Sequence, residues 1–134
     1  ESKNSIKIEN KSKVKSYFDT DLDLGNDDIF IELRKQLVLN KKICENHNYT
    51  ALINIFENKN QKIKWIASKN ELIWFITELK DNNIIKDGQF WTISTQIFKN
   101  KSEKSFKDLK KVNQKKISHE KISFFKNIVA NLKD

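Results

Sequence analysis

Proline is absent from this chain, glycine occurs twice, cysteine once and arginine once. Each scarcity closes off a class of function. Two isolated glycines, Gly25 and Gly88, cannot build the glycine-rich turn that cradles a phosphate in the usual nucleotide-binding loops. The single cysteine, Cys44, excludes an internal disulfide framework. No apolar run reaches the length of a membrane span, and the opening residues lack the basic-then-apolar layout of a signal peptide, so the expectation is a cytoplasmic protein with no membrane partner. No cofactor and no small-molecule substrate is suggested by any motif.

Apolar residues make up 37% of the 134 positions, enough for a real core. The formal charge is +8. Lys, Asn and Ile are abundant, the usage that an AT-rich genome gives, so the distribution of charge says more than its total. Residues 1–58 carry nine Lys/Arg against ten Asp/Glu, a net −1, whereas residues 59–134 carry seventeen against eight, a net +9. Such asymmetry is the footprint of a polyanion-binding part joined to a neutral one. Three stretches are expected: a polar, partly disordered lead-in over 1–27, a helical segment over 28–58 and a basic domain over 59–134.

In the lead-in, Asp19, Asp21 and Asp23 alternate like the first ligands of an EF-hand loop. The template then fails, because its sixth position needs Gly and is Leu24, and its twelfth needs a bidentate Glu and is Phe30. Asn26 or Asp27 capping a helix explains the same acids. Phe30, Leu33, Leu37 and Cys44 predict that helix over Asp28 to about Glu45, and a second, shorter one follows over Thr50 to about Glu57, together a helical hairpin. Cys44 and His47, with His119 and Glu120 far downstream, lack the paired ligand spacing of zinc frameworks, so no metal site is expected and Cys44 reads as a core thiol. They form no catalytic constellation either, and the chain is not read as an enzyme.

The chain is organised around KIKWIASKNELIWFITELKDNNII, residues 62–85. Lys62 to Ile66 alternates, with Ile63 and Trp65 facing one way, as a half-buried strand does. Ser68 and Glu71 then form a Ser-x-x-Glu capping box opening a helix with Leu72, Phe75, Ile76 and Leu79 on one face, closed by Asn82-Asn83. Trp74 falls on the opposite side, either as a contact with the N-terminal half or as a partner site. After the Asp87-Gly88 turn, a helix starting near Phe90 competes with hairpin strands and is preferred. Ser102 is expected to cap a third helix running to about Gln114, and His119 to Leu132 a last one, with Ile122, Phe125, Val129 and Leu132 as a core stripe or a dimer seam.

The third of these helices carries the sharpest functional signal. At helical spacing Lys104, Lys107, Lys111 and Lys115 fall within about 80°, with Phe106, Leu109 and Val112 on the far side. Residues 99–116 hold eight Lys, namely Lys99, Lys101, Lys104, Lys107, Lys110, Lys111, Lys115 and Lys116, against two acids, and either bind phosphates or form a solvated lysine face. Base readout would use Asn113 or Gln114, because the only arginine, Arg34, lies in the other half.

The run over 62–85, followed by Gly88, a helical segment ending in Phe98, the Lys-rich segment and the closing FFKNIVANL, resembles the C-terminal region of RteC-type proteins. The match covers roughly residues 62–132, on Ile63, Trp65, Ser68, Leu72 and Leu79, then Gly88, then Phe125 with Leu132. This chain has Ala67 where the family usually has Gly, and fewer arginines in its closing helices. The resemblance implies a regulator associated with mobile elements of Bacteroidetes that binds DNA through winged-helix or helix-turn-helix domains. The expectation is therefore a mainly α protein with a minor β component, an N-terminal helical hairpin followed by a winged-helix-like or helix-turn-helix-like domain, binding double-stranded DNA, with a homodimer natural because a half-site read by one helix is short. The alternative is a non-catalytic protein interaction module on the same scaffold, presenting Trp74, Trp91 or Phe124 in an exposed apolar patch.

Overall fold

The helix Lys69–Asp81 forms where its start and stop signals stand. The Ser68 hydroxyl accepts from the Glu71 amide at 3.2 Å, capping the helix, and donates to the Glu71 carboxylate at 3.2 Å in place of the reciprocal backbone bond of a full capping box. Leu72, Phe75, Ile76 and Leu79 are buried, as the periodicity predicts. At the other end Asn83 adopts φ 61°, its amide donates to Lys80 O, and the Ile84 amide reaches back to Leu79 O at 2.9 Å. That pair of bonds is a Schellman motif built without glycine.

The computed structural model describes residues 15–111 and 114–133. Its order is α1 (Asp27–Leu39), α2 (Tyr49–Asn54), β1 (Ile63–Lys64), α3 (Lys69–Asp81), α4 (Phe90–Ile97), β2 (Phe98–Lys99) and α5 (His119–Leu132). The protein is mainly helical with a minor β component. No helix among the described residues is long and apolar enough to cross a membrane. β1 and β2 are parallel, with Ile63 opposite Phe98 and Lys64 opposite Lys99. Single antiparallel bridges extend this ribbon on both sides, Ile43 to Trp65 and Lys99 to Ser105.

α5 packs against both α1 and α3, and one core cluster runs from Phe18 to Leu132. Its centre is Trp65, fully buried, stacked on Phe75 at 5.6 Å and on Phe125 at 6.2 Å, with the edge of Phe98 at 6.0 Å. The indole N–H donates to Ser68 O at 2.9 Å, so the core tryptophan is polar-satisfied by the turn that opens α3. α5 spans the residues expected of the last helix and turns Phe125, Ile128, Val129 and Leu132 inward, so its stripe is core. Residues 15–26 also join the core, through buried Phe18, whose amide donates to Ile55 O at 2.8 Å. The first fourteen residues, and Val112 and Asn113, lie outside the described set.

Three expectations are corrected. α1 ends at Leu39 rather than near Glu45, because Lys41 takes φ 60° and the Lys42 amide closes on Leu37 O at 2.8 Å, after which Ile43 pairs with Trp65. Cys44 is half-buried rather than a core thiol. The helix expected over Ser102–Gln114 does not form over residues 102–110: Asn100 turns the chain back, its side-chain oxygen accepting from the Ser102 and Lys104 amides at 2.8 and 3.0 Å. Left-handed Glu103 (φ 63°) and Asp108 (φ 57°) keep the segment irregular. Asn competes with helical hydrogen bonding in this way wherever its side chain can reach the following amides, and an unformed helix also spares four lysines from stacking at like-charged spacing.

Candidate nucleic-acid interface

Because residues 100–110 form no helix, the segment joining β2 to α5 is a strap whose course is set by a few anchors among its described residues. β2 leads in, and the Asn100 amide donates to Lys104 O at 2.8 Å across a tight turn that brings Ser105 beside Lys99. Phe106 is half-buried and Leu109 is buried, so two of the three apolar residues expected to face the core do so from an irregular backbone, and the third, Val112, lies outside the described residues. Leu109 lies against α4 beside Trp91, Thr92, Thr95 and Gln96. Further on, the Trp74 indole N–H donates to Lys115 O at 3.0 Å, tying the return of the strap to α3.

Between these anchors the lysines point outward. Lys101, Lys104, Lys107, Lys110, Lys111, Lys115 and Lys116 are all exposed. None of the seven is in an ion pair with a carboxylate among the described residues. Several lysines elsewhere are neutralised within the fold, Lys42 by Glu71, Lys126 by Glu78 at 3.0 Å, Lys86 by Asp21 at 2.7 Å and Lys15 by Asp87 at 2.8 Å, while others such as Lys35, Lys41 and Lys59 are exposed singly. The strap is thus where exposed lysines without carboxylate partners are most densely grouped among the described residues. Without the helix, Lys104, Lys107, Lys111 and Lys115 do not make a single helical face.

Of the remaining expected contacts, Lys99 is half-buried and donates to Thr95 O at 3.1 Å and to Ser105 Oγ at 2.8 Å. Gln114 is half-buried with its Nε2 enclosed and without a partner among the described residues, so it is not presented to a groove. Asn113 lies outside the described residues. Arg34 is occupied in the N-terminal half, donating to Glu45 O at 2.8 Å and His47 O at 2.9 Å. Trp74, Trp91 and Phe124 are half-buried and packed against the core rather than grouped in an open apolar patch.

Beside the turn at Asn100 the predicted Lys99 is joined by residues for which the sequence predicts no phosphate role. Asn46, His47, Lys62, Lys64, Lys99 and Glu103 line a cleft of about 370 Å³. The Lys62 ammonium donates to Gln96 O at 2.9 Å and Asn60 Oδ1 at 3.2 Å. Burial, and then the charge of Lys62, hold the Lys99 ammonium below its ordinary pKa. His47 Nε2 accepts from the Lys64 amide at 2.9 Å, which leaves the proton of the neutral ring on Nδ1. Burial, then Lys64, push its pKa below the usual histidine value, favouring that neutral form. The signal in the sequence was the alternation Lys62, Ile63, Lys64 itself: a strand that buries Ile63 and Trp65 must present both lysines on its other face.

No family model, curated protein or solved structure matches the chain.

Proposed function

We propose that the protein is a non-catalytic, double-stranded DNA-binding regulator of the RteC kind, linked to a mobile element, and that the strap is its DNA surface. One observation carries this reading: seven exposed lysines without carboxylate partners among the described residues, gathered on a segment that the fold pins at Leu109 and Lys115. Phosphates are the partners that such a surface lacks, and their capture releases condensed counterions. The turn from β2 to Ser105, carrying Lys101 and Lys104 beside α4, supports reading this part as a small wing on a winged-helix-like head. With no arginine on the strap, affinity is salt-sensitive and sequence preference modest. The reading is tested by binding to a short duplex of arbitrary sequence: the wild type binds, Lys107→Glu/Lys111→Glu does not, and binding that ignores the charge reversal refutes it.

A second reading, a protein interaction module, is favoured by Ile31 and Leu39, which are 45% and 69% exposed on α1. In that case Ile31→Ser/Leu39→Ser, and not the lysine reversals, abolishes partner capture.

A further inference from the structure

The cleft beside the strap has the donor set of an anion site. Two ammonium groups, Lys62 and Lys99, are held on the neighbouring carbonyls of Gln96 and Thr95 in the last turn of α4. Capping a helix C-terminus explains one cation there, since the partial negative charge of the carbonyls is about half an elementary charge. It does not explain two, nor the third, Lys64, that lines the same cleft. The carboxylate lining the cleft, Glu103, is 78% exposed in its side chain and among the described residues pairs with the Lys64 ammonium alone, at 3.8 Å, beyond a direct hydrogen bond. Three positive charges against one make an unbalanced, partly desolvated cluster.

The free valences point the same way. An ammonium carries three N–H donors. Among the described residues Lys62 uses two, on Gln96 O and Asn60 Oδ1, and Lys99 uses two, on Thr95 O and Ser105 Oγ, so each keeps one. His47 adds an Nδ1–H donor with no partner among the described residues, because its Nε2 is committed to the Lys64 amide. The positions are rigid, since Lys64 and Lys99 stand opposite one another in the parallel ribbon and Lys62 directly precedes it.

We infer that this cleft is a phosphate subsite, which seats one backbone phosphodiester of the bound nucleic acid between Lys62, Lys64, Lys99 and His47. The inference rests on the DNA reading and deepens it: the subsite fixes the register of the backbone, and the strap lysines that continue from Lys101 and Lys104 follow the adjoining phosphates. An anion there also relieves the repulsion between the Lys62 and Lys99 ammonium groups, which the helix carbonyls offset only in part.

The test uses the full chain and a twelve-base-pair duplex, with inorganic phosphate as a second probe. The expected result is that Lys62→Gln/Lys99→Gln lowers the slope of log K against log salt by about one, since the single phosphate seated in the cleft contributes about 0.9. Lys62→Arg/Lys99→Arg, which keeps both charges, retains the wild-type slope and shows that loss of folding is not the cause. In nuclear magnetic resonance, inorganic phosphate at constant ionic strength shifts the Lys64 amide and the His47 ring saturably in the wild type and not in the double Gln variant. If the duplex binds, the strap reversal Lys107→Glu/Lys111→Glu abolishes binding and the double Gln variant keeps the wild-type slope, the subsite is overturned and the DNA reading stands. If the wild type binds no duplex, both are overturned.

Discussion

Glu71 joins three parts of the chain through one carboxylate. It closes the Ser68 cap, pairs with the buried Lys42 that follows α1, and meets Lys121 of α5 at 3.5 Å. The Lys42 ammonium in turn lies 5.7 Å from the ring centres of both Phe124 and Phe125. Residues Lys42 and Glu71 are 8% and 5% exposed, so neither can be stripped of its partner without leaving a buried charge. Glu71→Gln is expected to lower the free energy of unfolding by about 3 kcal/mol in urea titrations, whereas Lys42→Met/Glu71→Leu loses far less, because an apolar pair of similar volume restores the balance. Burial pushes the Glu71 carboxyl up, but the hydrogen bond and charge of Lys42, then the charge of Lys121 and the Ser68 hydroxyl, outweigh it and hold the group below its usual range. The stability it contributes is therefore present above the unfolded glutamate value and is lost as the pH falls through the lower folded value. The gap between wild type and Glu71→Gln should accordingly narrow as the pH falls below the ordinary glutamate value, about 4.3; a constant gap would show that the carboxylate is not the group responsible.

At the scale of elements, what was legible depended on whether the boundary signal lay in side-chain chemistry or in backbone conformation. α3 and α5 open at Ser68 and Ser118, whose hydroxyls accept from amides three residues on, and both starts can be read directly. α1 could not be closed correctly. Its Schellman motif places Lys41, not glycine, in the left-handed region, while Ile43 and Cys44 continue an apolar spacing that belongs to the bridge with Trp65. Lys41→Gly should raise stability by about 1 kcal/mol in thermal unfolding, by removing the left-handed Cβ clash, with Asn83→Gly giving less because Asn tolerates that conformation. No gain at Lys41 would mean that the turn is not held as described. The strap failed for a related reason: its lysine spacing suits a helix, but Asn100 supplies a competing turn at its first residue and β2 continues through Lys99 into the bridge with Ser105. Trp74→Phe, which keeps an aromatic ring and deletes the bond to Lys115 O, should cost no more than about 1 kcal/mol overall. It should nonetheless speed tryptic cleavage after Lys115 and Lys116 several-fold; an unchanged cleavage rate would remove Trp74 as the anchor of the strap.

For the molecule as a whole, charge was legible and its shape was not. The contrast between a net −1 over residues 1–58 and a net +9 over residues 59–134 is a property of composition. Which lysines are free is a property of the fold. Among the described residues Lys42, Lys86, Lys121 and Lys126 are drawn into ion pairs, and the seven outward lysines of the strap are not. The core cluster from Phe18 to Leu132 ties the neutral and basic stretches together, so the strap is displayed on a body that includes both. Lys62, Lys64 and His47 were not read as one site because they come from two stretches that converge only once Ile43 pairs with Trp65 and β1 with β2. The most direct test is a salt titration of duplex binding by the wild type and by Lys107→Glu/Lys111→Glu. A DNA surface on the strap predicts low-micromolar binding at low salt, log K falling linearly with log salt with a slope that implies several phosphates, and loss of binding in the double variant. Absence of binding at about 50 mM salt, or binding indifferent to the two reversals, would contradict it.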